Sequence, residues 1–288
     1  MSDRLQEIAE TNARIVAAGE YSTPVGTVVV APALRAAISG TVSHPPEGPV
    51  EPSHPGVEHS TSFEVTDENS LQAARRLVAT GIGPVAVLNF ASARNPGGGY
   101  LRGARAQEED LCRNSLLYPC LLAVPDYYAA HRACPDLVYS DRVVWSPDVP
   151  VHRDEWGALL AEPDRVSFLT CAAPNAGEVL RRDPGAGERI REALYRRAER
   201  VLTVAHRHGA RQLVLGAWGC GVFGNDPRVV AAAFHAPLTA NGSLSAAFER
   251  VVFAIPDRSP DSVNRAAFTG RFAPGGPGRA GGAGSAGG

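Results

Sequence analysis

The feature that most narrows the fold of this chain is an alternation. Short apolar, β-branched runs recur with helical patterns between them, and two of the runs lead directly into glycine-rich loops. Pro84-Val-Ala-Val-Leu-Asn-Phe90 reads as a buried strand, residues 137–145, 166–171, 212–215 and 250–255 as strands, and 27–30 and 62–65 as short β-branched runs. Leu5, Ile8, Ile15 and Val16 recur at helical spacing in an opening helix. Thr66 or Asp67 can cap a helix running to about Ala79, and further helices are expected over 106–117, over 188–208 and from Pro227. Strands separated by helices imply an α/β fold, a mixed sheet covered by helices on both faces. In such folds ligands bind outside the carboxyl ends of the strands, which is where both glycine loops lie.

Composition limits the chemistry. All 28 basic residues are arginine, and the sequence contains no lysine. That excludes Schiff-base and pyridoxal-phosphate catalysis, the P-loop lysine and the kinase strand lysine. A formal charge of −2 argues against generic nucleic-acid binding. The five cysteines include no Cys-x-x-Cys pair, which speaks against a disulfide framework or a thiolate zinc site. No run approaches the roughly 20 apolar residues of a membrane helix, and the N-terminus has no apolar signal core, so a soluble cytoplasmic protein is expected. From about Arg271 the chain is nearly all Gly, Ala and Pro and reads as a disordered tail over 271–288; residues 1–270 read as one domain with an N-terminal helical extension. Residues 44–55, with five prolines, read as a surface loop.

The later glycine loop, Gly216 to Asn225, contains Gly219-Cys220-Gly221-Val222-Phe223-Gly224, a G-x-G-x-x-G match. It is not a dinucleotide fingerprint. That motif opens a first βαβ unit and needs a ribose-binding acid about 20 residues on, whereas 240–247 holds no acid. Glycines still let backbone N–H groups close around phosphate oxygens, and Asn225-Asp-Pro starts a helix immediately afterwards. The earlier loop follows Asn89 and reads Gly97-Gly98-Gly99, seven residues, then Gln107-Glu108-Glu109. Triple glycine permits close approach to backbone, and the helix head aims polar side chains into the same cleft. Successive helical residues project about 100° apart, so Glu108 and Glu109 serve different tasks. A Glu-Glu-Asp run at a helix start also has a plain explanation in the helix dipole.

Gly97-Gly98-Gly99-x7-Gln107-Glu108-Glu109 resembles the signature of poly(ADP-ribose) glycohydrolases, in the compact microbial form whose catalytic domain is a macrodomain. The resemblance implies a three-layer macrodomain-like fold and hydrolysis of ribose–ribose O-glycosidic bonds, exo-acting, releasing ADP-ribose. It implies Glu109 as general acid then base and Glu108 as the residue placing the sugar through its hydroxyls. It further implies that Asn89 fixes the distal ribose, that Gln107 binds ribose or backbone, and that Phe223 packs on a ribose. Gly219, Cys220, Gly221, Val222, Gly224 and Asn225 complete the second ADP-ribose loop. The adenine pocket falls at Thr66–Asn69 or Pro174–Asn175, where helix capping is an equal explanation. No cofactor and no metal are called for: His206 and His208 are spaced i, i+2, and His44, His54 and His59 lack nearby acids in a ligand pattern. Poly(ADP-ribose) or ADP-ribose is the expected ligand, with ADP-ribosylated proteins as targets. Two alternatives use the same pocket, a non-catalytic ADP-ribose reader and a mono-ADP-ribosyl hydrolase. The intact Glu108–Glu109 pair counts against the reader, and comparing polymer with mono-modified substrates separates the hydrolases.

Overall fold

A computed structural model describes residues 2–47, 58–239, 242–257, 259 and 261–272. Helix α1 (Ser2–Ala18), the hairpin β1 (Glu20–Thr23) and β2 (Gly26–Val29), and α2 (Ala31–Ser39) precede β3 (Val42–His44). Then follow β4 (Ser62–Thr66), α3 (Ser70–Val78), β5 (Val85–Phe90), a 3-10 turn (Tyr100–Arg102), α4 (Gln107–Asn114), α5 (Leu117–Leu122) and α6 (Pro125–Ala133). The long strands β6 (Val143–Arg153) and β7 (Leu159–Cys171) lead to α7 (Ala176–Arg182), α8 (Gly187–Arg207), β8 (Gln212–Leu215), α9 (Pro227–Leu238), β9 (Arg250–Ala254) and α10 (Val263–Phe272). The main sheet is seven-stranded and mixed, in the order β3-β6-β7-β5-β8-β9-β4. Strands β7, β5, β8, β9 and β4 run parallel; β6 is antiparallel to both of its neighbours.

Two apolar cores explain the layering. One joins Leu88, Leu169, Leu213 and Phe253 to α8, α9 and α10 through Leu194, Val201, Phe234 and Phe268. The other joins Val87, Phe168, Val214 and Val252 to Leu77 of α3, Leu111 of α4, Leu117 of α5 and Tyr127 of α6. Neighbouring strand residues thus face opposite layers, as a sheet buried on both sides requires. Among the described residues no helix is long and apolar enough to cross a membrane.

Several sequence expectations shift. The 27–30 run pairs only with β1, outside the main sheet. Residues 137–142 do not extend β6, because buried Arg197 takes the carbonyls of Val138 and Tyr139 and turns the chain away. Ser115 ends α4 by pairing with Val151 and splits the helix expected over 106–117. Asn69, rather than Thr66 or Asp67, caps α3, in a capping box with Gln72. His44 ends β3, while residues 48–57 of the expected loop lie outside the described residues. Helix α10 continues through Arg271 and Phe272, past the expected boundary, with the Phe272 ring tilted against Phe253 at 4.2 Å; residues 273–288 lie outside the described residues.

The N-terminal helix is fastened to the site by one buried side chain. Asn12 donates to the Tyr100 hydroxyl (3.1 Å) and the Arg113 carbonyl (2.8 Å), and accepts from Arg153 (3.1 Å) with His152 Nε2 at 2.9 Å. Truncating it strands several buried polar groups at once, so Asn12→Ala is expected to lower stability by about 3 kcal/mol, against about 0.5 for exposed Arg14→Ala. Urea titrations of the two variants check this; equal small losses would contradict it.

Candidate active site

The site is built at the carboxyl ends of β5 and β8, which are adjacent and parallel, so the two glycine loops leave the sheet side by side. Gln107 joins strand to helix. Its carbonyl oxygen accepts from the Phe90 N–H (2.8 Å), and its amide nitrogen donates to the Leu88 carbonyl (2.8 Å) and to Ser70 Oγ (3.0 Å). Both ends of the amide are therefore engaged within the protein, and the start of α4 is fixed against β5 and α3.

Glu108 and Glu109 are both buried but differ in their partners. Glu108 Oε2 accepts from the Ser92 N–H (2.7 Å) and Oε1 from Asn89 Nδ2 (3.3 Å), which also donates to Thr170 Oγ1 (3.1 Å). Glu109 Oε1 accepts from the Gly99 N–H (2.8 Å), while its Oε2 is buried with no partner among the described residues. Gly98 makes this approach possible. Its φ is +58°, and a Cβ there would lie 2.4 Å from Glu109 Oε1 and 3.2 Å from Glu108 Oε2. A Cβ on Gly97 would meet the Tyr118 ring at 2.9 Å.

The second loop is held from below and open above. Asn225 Nδ2 donates to the carbonyls of Pro174 (2.8 Å) and Gly219 (3.0 Å), and Asp226 caps α9. Gly219, at φ +71°, has Ala173 and Asn225 within 2.5 Å of where a Cβ would sit. The N–H groups of Gly221, Val222 and Phe223 have no partner among the described residues, and Val222 is 93% exposed at the tip. Such free donors above a helix N-terminus suit an anion. Cys220 is half-buried, and burial pushes its thiol up to about 12, so it carries no thiolate at neutral pH. Phe223 is tied through its carbonyl to the Gly177 N–H (2.9 Å). Beside Gln107 a cavity of about 440 Å³ is lined by Asn69, Ser70, Phe90, Arg105 and Pro256. Of the two expected adenine regions, Asn69 lines this cavity, whereas Asn175 caps α7.

The structure thus brings Asn89, Gly97, Gly98, Gly99, Gln107, Glu108 and Glu109 into one cluster, with Gly219–Asn225 on the adjacent strand end. Sequence reasoning missed Ser92, Thr170 and Ser70. Thr170 reaches Asn89 only because β7 pairs with β5 in that register, which a single sequence does not display. The matching family model, microbial-type PARG, catalytic domain, spans residues 9–154. The chain belongs to the microbial-type poly(ADP-ribose) glycohydrolase family. The poly(ADP-ribose) glycohydrolase of Thermomonospora curvata, solved with the inhibitor ADP-HPD, is 45% identical, with a TM-score of 0.85 over 94% of this chain and 100% of that one. The enzyme of Deinococcus radiodurans, solved with ADP-ribose, is 41% identical, with a TM-score of 0.77 over 84% of this chain and 97% of that one. No curated protein sequence matches the chain.

Burial pushes the Glu108 carboxyl up to about 8; the hydrogen bonds from Ser92 and Asn89 oppose that rise, and the neighbouring Glu109 adds to it. The folded protein then holds a proton that the unfolded chain releases above the ordinary value of 4.5. This contribution to stability is full below pH 4.5 and is lost as pH rises through about 8. Between pH 5 and 8.5 the unfolding free energy of the wild type should therefore fall relative to that of Glu108→Gln, which cannot titrate there. Parallel pH profiles in urea would contradict the assignment.

Proposed function

We propose that the chain hydrolyses the ribose–ribose O-glycosidic bonds of poly(ADP-ribose), working from the chain end and releasing ADP-ribose, with Glu109 as the acting acid and base. The single observation that carries this reading is the contrast between the two carboxyl groups. Glu108 has both oxygens engaged, whereas Glu109 offers one buried oxygen with no protein partner.

The chemistry follows from that contrast. As the glycosidic bond breaks, the leaving ribose oxygen needs a proton and the anomeric carbon gains oxocarbenium character. Glu109 Oε2 delivers the proton, and the resulting carboxylate, steadied at Oε1 by the Gly99 N–H, takes one from the attacking water. Glu108, largely protonated at neutral pH, presents a carboxyl group able to hydrogen-bond ribose hydroxyls and place the sugar. Asn89 Oδ1, buried without a partner among the described residues, accepts from the distal ribose. The diphosphate is held by the free N–H groups of Gly221, Val222 and Phe223, consistent with a chain that has no lysine to offer. Phe223 packs on the ribose of the terminal unit, and the base occupies the cavity beside Phe90 and Gln107. ADP-ribosylated proteins are the targets that present such polymer.

Glu109→Gln keeps the shape of the side chain and removes its proton transfer. It is expected to bind ADP-ribose within about threefold of wild type while losing at least about 1,000-fold in polymer hydrolysis. Calorimetry with ADP-ribose and release of ADP-ribose from labelled polymer check the two halves. Wild-type turnover in the variant would end this assignment.

A further inference from the structure

Among the described residues only Tyr139 and Asp148 combine a side chain with positive φ, and Tyr139 (φ +62°) is a bulky residue in a region that costs free energy to occupy. Its conformation is held by the fully buried Arg197. Nη2 donates to the carbonyls of Val138 (3.0 Å) and Tyr139 (3.2 Å), Nη1 donates to the Ala172 carbonyl (2.7 Å), and Nε pairs with Asp141 (3.0 Å). The neighbouring sequence, 137–145, has the apolar pattern of a strand, so a plain extension of β6 was open to it. The left-handed residue instead turns the ring toward the second glycine loop.

There the Tyr139 ring meets Phe223 at 6.0 Å and is backed by His131 at 5.7 Å. His131 is itself fixed, buried, with Nε2 2.7 Å from Ser140 Oγ. The last turn of α6 and the start of the same connection hold the first loop as well: Arg132 donates to the Arg94 carbonyl (2.8 Å) and Arg94 to the Cys134 carbonyl (3.3 Å). Phe223 sits between Gly221 and Gly224 beside an exposed Val222; one side of it packs against the α8–α9 core, and its ring meets Tyr139.

The geometry points to Tyr139 as a positioning residue for the reaction: it presses Phe223 against the terminal ADP-ribose unit and makes the α6–β6 connection a third wall of the site. This rests on the reading of Phe223 as a substrate contact. The test is a double-mutant cycle on full-length protein, with poly(ADP-ribose) hydrolysis and ADP-ribose binding as readouts. Tyr139→Ala is expected to raise KM about tenfold with kcat within about twofold, and Tyr139→Phe, which keeps the ring, to restore KM. Tyr139→Gly relieves the backbone but removes the ring, and it should match Tyr139→Ala in KM. In a Phe223→Ala background Tyr139→Ala should add nothing. Wild-type KM in Tyr139→Ala or Tyr139→Gly, or multiplicative effects in the double variant, would overturn the proposal. If Phe223→Ala alone leaves both readouts unchanged, the reading of Phe223 falls first and takes this one with it. A rise in KM from Phe223→Ala but not from Tyr139→Ala removes the role of Tyr139 alone.

Discussion

Glu109 approaches the backbone of Gly98 and Gly99 more closely than any side chain on Gly98 would allow, and the rest of the site is arranged around that contact. The Gly99 N–H fixes one carboxyl oxygen and leaves the other buried and unpartnered. Gln107 holds the first turn of α4 to β5 and α3, and Asn12 holds its last turn to α1. Glu108 differs from Glu109 in what it touches: burial raises its pKa while Ser92 and Asn89 occupy its oxygens. Two adjacent carboxyl groups thus meet different surroundings, and the distinct roles proposed for them rest on that difference, without any difference in intrinsic chemistry.

The sheet supplies the second requirement. Because β5 and β8 are neighbours and parallel, loops more than 100 residues apart in the chain emerge together. A diphosphate held without lysine has backbone donors, helix termini and arginine to rely on, and the Gly219–Asn225 loop above α9 offers the first two. The proposed glycosidase chemistry and the proposed anion site therefore depend on one pairing in the middle of the sheet.

What was legible in the sequence was local. The Gly97–Gly99 to Glu109 spacing marked the carboxylate cluster and the family, and β5, β8, β9 and α8 fall close to where their apolar periods put them. What was illegible depends on partners distant in sequence. Thr170 joins Asn89 through strand register; Arg197, on α8, ends what reads as a strand at 137–142; Ser115 breaks a helix by pairing with Val151. Strand β6 runs on to Arg153, past Pro147, which falls in the register shift between Ser146 and Val149, and Pro150, which stays paired with Arg165 of β7. The N-terminal segment reads as a simple extension, yet Asn12 locks it to α4, and β3 adds a strand to the main sheet.

The most direct measurement of the central claim concerns Gly98. A methyl group at that position would meet Glu109 Oε1 at 2.4 Å and would need a backbone that alanine disfavours. Polymer hydrolysis by Gly98→Ala, measured on protein shown to be folded by near-UV circular dichroism, should fall at least about 100-fold as the carboxyl group is displaced. A folded Gly98→Ala variant that hydrolyses poly(ADP-ribose) at the wild-type rate would contradict the account.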